Sequence, residues 1–219
     1  MIQKEAQKMP SKDNREYRSM ELRIAPHEDG AEPSFFVEGY ASTFEPYVLF
    51  RDGDIEYSER IEPTAFDEAD VSDVVFRVDH QGPVYARTSA GTVELWHDDH
   101  GLGQRTNLGK TQRARELFAE IEAGNYPQMS FAFSVADDGD EYDRATHTRT
   151  IKRIAKVYDV SPVAFPANPG TELSVSTRDY FNGVIEAEKR EQAERLAAEK
   201  REEQKQRIKA LTEVQKDGV

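Results

Sequence analysis

Cysteine is absent from the 219 residues of this chain. That excludes a thiol nucleophile, a disulfide framework and any cysteine-ligated metal, and it fits a reducing compartment. Long apolar runs are missing too. No stretch approaches the roughly 20 residues needed to cross a bilayer, and the N-terminus lacks the apolar centre of a secretory leader, so no membrane role is expected. Positive charge is in deficit: 29 Lys and Arg stand against 42 Asp and Glu, a formal net charge of −13. Such a surface repels a phosphate backbone unless basic residues are segregated from it. Only the C-terminal segment concentrates them, so no nucleic-acid partner is expected. What is present is core-forming material. Hydrophobic residues make up 37%, with 11 Phe and 9 Tyr, enough for one ordinary domain and an appendage.

The order of signals along the chain divides it into three parts. Residues 1–18 are polar and aperiodic, and are expected to form a disordered arm. Residues 19–176 read as a β-rich domain with candidate strands at 20–25, 34–43, 56–61, 74–79, 92–96, 103–108, 129–135, 148–154 and 157–163. Turn signals separate them: Glu28-Asp29-Gly30, Arg51-Asp52-Gly53-Asp54, Asp98-Asp99-His100-Gly101 and Asp137-Asp138-Gly139-Asp140. One helix interrupts the strands. Thr111 is its expected N-cap, Leu117, Phe118 and Ile121 its apolar stripe, and Gly124, Asn125 and Pro127 its stop. The fold class is therefore α+β, a barrel-like or folded-over β-rich domain with at least one packed helix. Residues 177–219 form a charged tail, helical or disordered. Residues 186–216 carry 8 acidic and 9 basic side chains, so the rest of the chain holds the net negative charge. Large apolar residues there are sparse: Leu196, then Ile208, Leu211 and Val214, without the heptad seam of a coiled coil.

Three polar residues interrupt apolar strand patterns. In Gln128-Met129-Ser130-Phe131-Ala132-Phe133-Ser134-Val135 the alternation puts Met129, Phe131, Phe133 and Val135 on one face. Ser130, Ala132 and Ser134 take the other. The small side chains of that second face are expected to leave open space for a substrate, with Ser130 as a nucleophile standing beside it. His80 closes the apolar run 74–80 and by alternation shares a face with Val74, Phe76 and Val78. Asp159, within Val157-Tyr158-Asp159-Val160, shares a face with Val157 and Val163 by the same rule, and a carboxylate there needs a donor. A hydroxyl to attack, an imidazole to take its proton and an anion to fix the imidazole tautomer are the types that acyl transfer requires. Spacing does not reveal whether they converge. A rival cluster, His97-Asp98-Asp99-His100, holds two imidazoles and two carboxylates, but it precedes Gly101 and reads better as a hairpin turn than as a metal site. His27 and His147 stand in polar, loop-like contexts. No metal or other cofactor is called for.

Taken in order, several segments resemble the prohead, or capsid-maturation, serine proteases of tailed bacteriophages, whose fold is related to the herpesvirus assemblins. They are Val37-Glu38-Gly39-Tyr40-Ala41-Ser42-Thr43-Phe44, Glu59-Arg60-Ile61-Glu62-Pro63-Thr64-Ala65-Phe66, and Val78-Asp79-His80 with Pro83 and Arg87. Asp98-Asp99-His100-Gly101-Leu102, Met129-Ser130-Phe131-Ala132-Phe133 and the run from Tyr158 to Pro169 complete the set. The resemblance covers roughly residues 20 to 175. It implies an assemblin-like domain in which His80 and Ser130 match the catalytic pair, with Asp159 where the family often has glutamate. Arg87 and backbone N–H groups near the turn after His80 are the candidates for the oxyanion site. Phe131, Ala132 and Ser134 are candidates for the oxyanion and substrate surroundings. The implied activity is that of a serine endopeptidase that acts inside the assembling prohead in the host cytoplasm. Its implied partners are the major capsid protein with its scaffold region, and the protease itself. Self-association is left open, and a catalytically inactive assembly protein of the same fold is the alternative.

Overall fold

A computed structural model describes residues 15–24, 34–164 and 175–216. The chain divides into two compact units, Met1–Ser176 and Thr177–Val219. Among the described residues the first contains twelve strands and one α-helix. Its strands are β1 (Glu16–Ile24), β2 (Phe36–Thr43), β3 (Tyr47–Asp52), β4 (Ile55–Ile61), β5 (Val75–Val78) and β6 (Gln81–Arg87). They continue as β7 (Val93–His97), β8 (Gly101–Asn107), β9 (Gln128–Val135), β10 (Asp140–Asp143), β11 (Thr148–Ile151) and β12 (Ile154–Val163).

Eight strands hydrogen-bond in the order β6-β5-β12-β9-β1-β2-β8-β7, and four more in the order β10-β11-β4-β3. The outer strands β6 and β7 do not pair with each other, so the larger sheet does not close into a barrel. Most neighbours are antiparallel; β12 beside β5 and β11 beside β4 are parallel. The expected barrel-like domain is thus an open α+β arrangement. Its centre is apolar: Val37, Phe76, Leu108, Met129, Phe131, Phe133, Ile151, Val157 and Val160 are all fully buried.

Helix α1 (Gln112–Glu122) follows its sequence signals closely. The Thr111 hydroxyl accepts from the Ala114 backbone N–H at 3.1 Å, and Ala114, Leu117, Phe118 and Ile121 form the buried stripe. Ala123 is the C-cap, and Gly124 beyond it takes φ 82°, a left-handed conformation glycine adopts without steric cost.

Several strands differ from expectation. β1 begins at Glu16, so the end of the supposed arm is sheet; residues 1–14 of that arm lie outside the described residues. The polar text around Glu16 and Arg18 hid the strand, because its inward side chains are charged. β3 and β10 are short, partly buried partners in hairpins, and β6 was obscured by Gly82 and Pro83. The Glu28-Asp29-Gly30 turn and His27 also lie outside the described residues.

The second unit is dominated by helix α2 (Val175–Lys216), 42 residues long. Its described side chains from 191 to 208 are all exposed, Leu196 at 51% and Ile208 at 61% among them. This agrees with a composition rich in helix formers and poor in apolar periodicity.

Candidate active site

β9 and β12 lie side by side at the centre of the larger sheet. Across them Ser130 pairs with Ser161 and Ala132 with Asp159. Antiparallel partners share a face, so Ser130, Ala132, Asp159 and Ser161 project from the same side. Simple alternation would have put Val157 there as well. Val157 instead pairs with Phe133, on the core side, because a register shift lies between Val157 and Asp159. This bulge re-aims Asp159 towards Ser130 and corrects the shared face expected from periodicity.

His80 reaches the same place by a different route. It is not the last residue of a strand. β5 and β6 form a hairpin in which Val78 pairs with Gln81, leaving Asp79 and His80 as the two-residue turn. Both have positive φ, 47° and 57°, the geometry that a type I′ turn demands and that Asp and His tolerate better than most side chains. Three bonds hold the turn. The Asp79 N–H donates to the Pro162 carbonyl at 3.1 Å, the Ala164 N–H donates to Asp79 Oδ1 at 3.1 Å, and Arg77 Nη2 donates to the Gly82 carbonyl at 2.8 Å. The first two tie the turn to the end of β12.

The three side chains meet. His80 Nε2 is 2.8 Å from Ser130 Oγ, and His80 Nδ1 is 2.6 Å from Asp159 Oδ1. Ser130 and Asp159 are each 1% exposed, while the imidazole keeps 18%. An Nδ1–H donated to the carboxylate leaves the Nε2 lone pair facing the hydroxyl, which is the protonation pattern a general base needs. Asp159 Oδ1 also accepts from Ser161 Oγ at 2.6 Å, and Ser161 is fully buried. Sequence reading passed over Ser161, although its spacing of two from Asp159 on one strand was the available signal.

The other candidates fall differently. The expected open face is covered: Ala132 is fully buried and Ser134 is 8% exposed, with its hydroxyl 3.4 Å from the Tyr158 hydroxyl. β9 has neighbours on both edges and buried residues on both faces, so small side chains there signify close packing. Phe131 turns its ring into the core, stacked on Phe133 with centroids 4.6 Å apart. Arg87 directs Nε and Nη2 onto the two oxygens of Asp73, at 3.0 and 2.6 Å, in an exposed fork. Those two donors are therefore committed away from an oxyanion.

His97 and His100 do not converge. Asp98 Oδ1 accepts from the His100 and Gly101 N–H groups, closing the turn between β7 and β8 as expected. Tyr40 donates to Asp98 Oδ2 at 2.6 Å, and these bonds hold the Asp98 carboxyl below its usual range. His100 packs on the Tyr40 ring, whereas His97 lies 3.5 Å from Asp67. His147 bonds the Tyr142 hydroxyl at 3.0 Å.

A second polar cluster lies on the core side of β9, unforeseen in the sequence. Arg18 of β1 bonds Glu16 and both oxygens of Glu59, and Arg149 of β11 bonds Glu16, Glu59 and Asp140. Tyr47 donates to Glu59 at 2.6 Å, and the Arg18 guanidinium lies 5.5 Å over the Phe133 ring. Burial opposes the charge on both arginines, but their carboxylate partners outweigh it and hold both pKa values above the ordinary one. Burial, reinforced by Glu59, pushes the Tyr47 hydroxyl well above its usual value.

A hydroxyl, an imidazole and a buried carboxylate bonded in that order form the connectivity of serine hydrolases. The comparison with known families makes the class specific. Residues 20–184 match the model of the Caudovirus prohead serine protease family, well over half of the chain, and the chain belongs to that family. No curated protein and no solved structure matches the chain significantly.

Proposed function

We propose that the chain is the endopeptidase of capsid maturation, with Ser130 as nucleophile, His80 as general base and Asp159 as the group that orients and steadies His80. The single observation that carries this reading is the unbroken hydrogen-bonded path from Ser130 Oγ through both imidazole nitrogens to Asp159. Ser130 Oγ attacks the scissile carbonyl carbon while its proton passes to His80 Nε2. The C–N bond then breaks as the amine leaves with that proton, and the acyl-serine is hydrolysed by a water that His80 activates in turn. Asp159 stays ionised throughout and balances the imidazolium.

Family membership supports a place of action inside the assembling prohead. The substrates proposed are the scaffold region of the major capsid protein and the protease itself. The charged helix α2, exposed from 191 to 208, is proposed as the targeting segment, or as a segment removed by self-cleavage. Coexpression with the capsid protein of the same phage, followed by mass analysis of the fragments, tests this. Intact enzyme should yield defined capsid fragments, and Ser130→Ala should yield full-length capsid protein. Identical fragments from both would reject Ser130 as the nucleophile.

A further inference from the structure

We infer that Ser161 is a positioning residue of this site: its hydroxyl fixes the Asp159 carboxylate, and through it the tautomer and aim of His80. The inference rests on the triad reading above. A buried serine can satisfy itself with any acceptor, commonly a backbone carbonyl. Ser161 instead donates to the one oxygen, Asp159 Oδ1, that also receives His80 Nδ1, and both separations are 2.6 Å. That length is typical of a hydroxyl on an ionised carboxylate, among the stronger hydrogen bonds in proteins. The terminal torsion of an aspartate is otherwise soft, so a carboxylate held by one partner alone can turn its oxygen away. Two donors converging on Oδ1 remove that freedom.

The backbone explains why Ser161 is placed to do this. It follows Asp159 by two residues on β12, on the same face, and it pairs directly across from Ser130. The frame that sets nucleophile against base therefore also carries the hydroxyl that sets the acid. Asp159 and Ser161 are both buried from solvent, which leaves the hydroxyl without bulk water to compete for its proton. Proton transfer from Ser130 makes an imidazolium, whose stabilisation depends on Oδ1 remaining in line with Nδ1–H. Ser161 supports that alignment without touching substrate.

Two readouts test this. The first is the rate at which a fluorophosphonate labels Ser130, which reports nucleophilicity without a known substrate. The second is the downfield proton resonance of His80 Nδ1–H, which reports the His–Asp bond without any activity. Ser161→Ala should slow labelling on the order of tenfold, the worth of a hydrogen bond to a charged group, and broaden the resonance or move it upfield. Ser161→Thr should restore both, because it keeps the hydroxyl. If Ser161→Ala does not fold, the near-isosteric Ser161→Cys, a weak donor, should show the same two losses. An unchanged resonance together with unchanged labelling in a folded Ser161→Ala protein overturns the inference. Failure of the parent reading looks different: the wild type would resist labelling at Ser130, and the resonance alone would then decide the role of Ser161.

Discussion

At the scale of single residues, the most consequential one outside the site is Arg149. It is 3% exposed and bonds three carboxylates, Glu16, Glu59 and Asp140. Removing its charge leaves Arg18 to balance both Glu16 and Glu59, the latter fully buried. Breaking a buried ion network from one side costs about 3–5 kcal/mol, because the surviving charge keeps its desolvation penalty without its partner. Arg149→Met should therefore lower the free energy of unfolding by about that amount in urea titration, with an unchanged slope. Arg149→Met combined with Glu59→Gln should recover part of the loss, since the double change leaves fewer unpaired charges. A loss under about 1 kcal/mol from the single change would mean that water reaches the cluster and that it is not a buried network. None of this was visible in the sequence. Glu16, Arg18 and Arg149 stand in polar text, and only a fold that brings the first strand against the smaller sheet's residues reveals them as interior.

At the scale of elements, the site depends on two departures from regularity. Side-chain types singled out Ser130, His80 and Asp159 from the sequence, since each is polar among apolar neighbours. The means by which they meet was not readable. Alternation assumes an uninterrupted strand, and both the bulge before Asp159 and the turn at Asp79-His80 break it. Apolar flanks argued for a strand through residue 80, whereas the turn falls at Asp79-His80, three residues before Gly82-Pro83. The same reasoning made Ala132 and Ser134 a groove, where tight packing in fact accounts for their size. A test at this scale concerns Asp79, whose φ of 47° and bond from Ala164 hold the turn. Asp79→Asn keeps an acceptor and tolerance for left-handed backbone, so it should retain stability and activity. Asp79→Val loses the acceptor and forces a β-branched side chain into that conformation, at a cost of about 1–3 kcal/mol. It should lower thermal stability and the rate of fluorophosphonate labelling at Ser130 together. Full activity in Asp79→Val would show that the turn does not set the position of His80.

At the scale of the whole molecule, the charge distribution sets the response to acid. The tail segment is close to neutral, with 8 acidic and 9 basic residues between 186 and 216, so the β-rich unit carries the excess of carboxylates. Their mutual repulsion weakens as the pH falls from neutrality, which favours the compact state. An opposing effect enters lower down. Asp70, Asp73, Asp98 and Asp143 are all held below the ordinary value of 3.8 by hydrogen bonds: Asp70 by Lys156 and Ser72, Asp73 by Ser89 and Arg87, Asp98 by Tyr40 and the His100 N–H, and Asp143 by the Ala145 N–H and Thr146. A carboxyl with a depressed folded pKa adds stability that is complete above its unfolded value and is lost as the pH falls through the folded one. The buried arginines do not offset this, since their raised values leave them charged throughout the acidic range. The urea midpoint should therefore rise slightly from about pH 7 to about pH 5, then fall steeply below about pH 4. Asp98→Asn should flatten the acid limb, because the amide keeps an acceptor for the turn but has no proton to gain. A midpoint that keeps rising below pH 3.8, or an acid limb unchanged in Asp98→Asn, would show that these paired carboxyls do not govern the acid response.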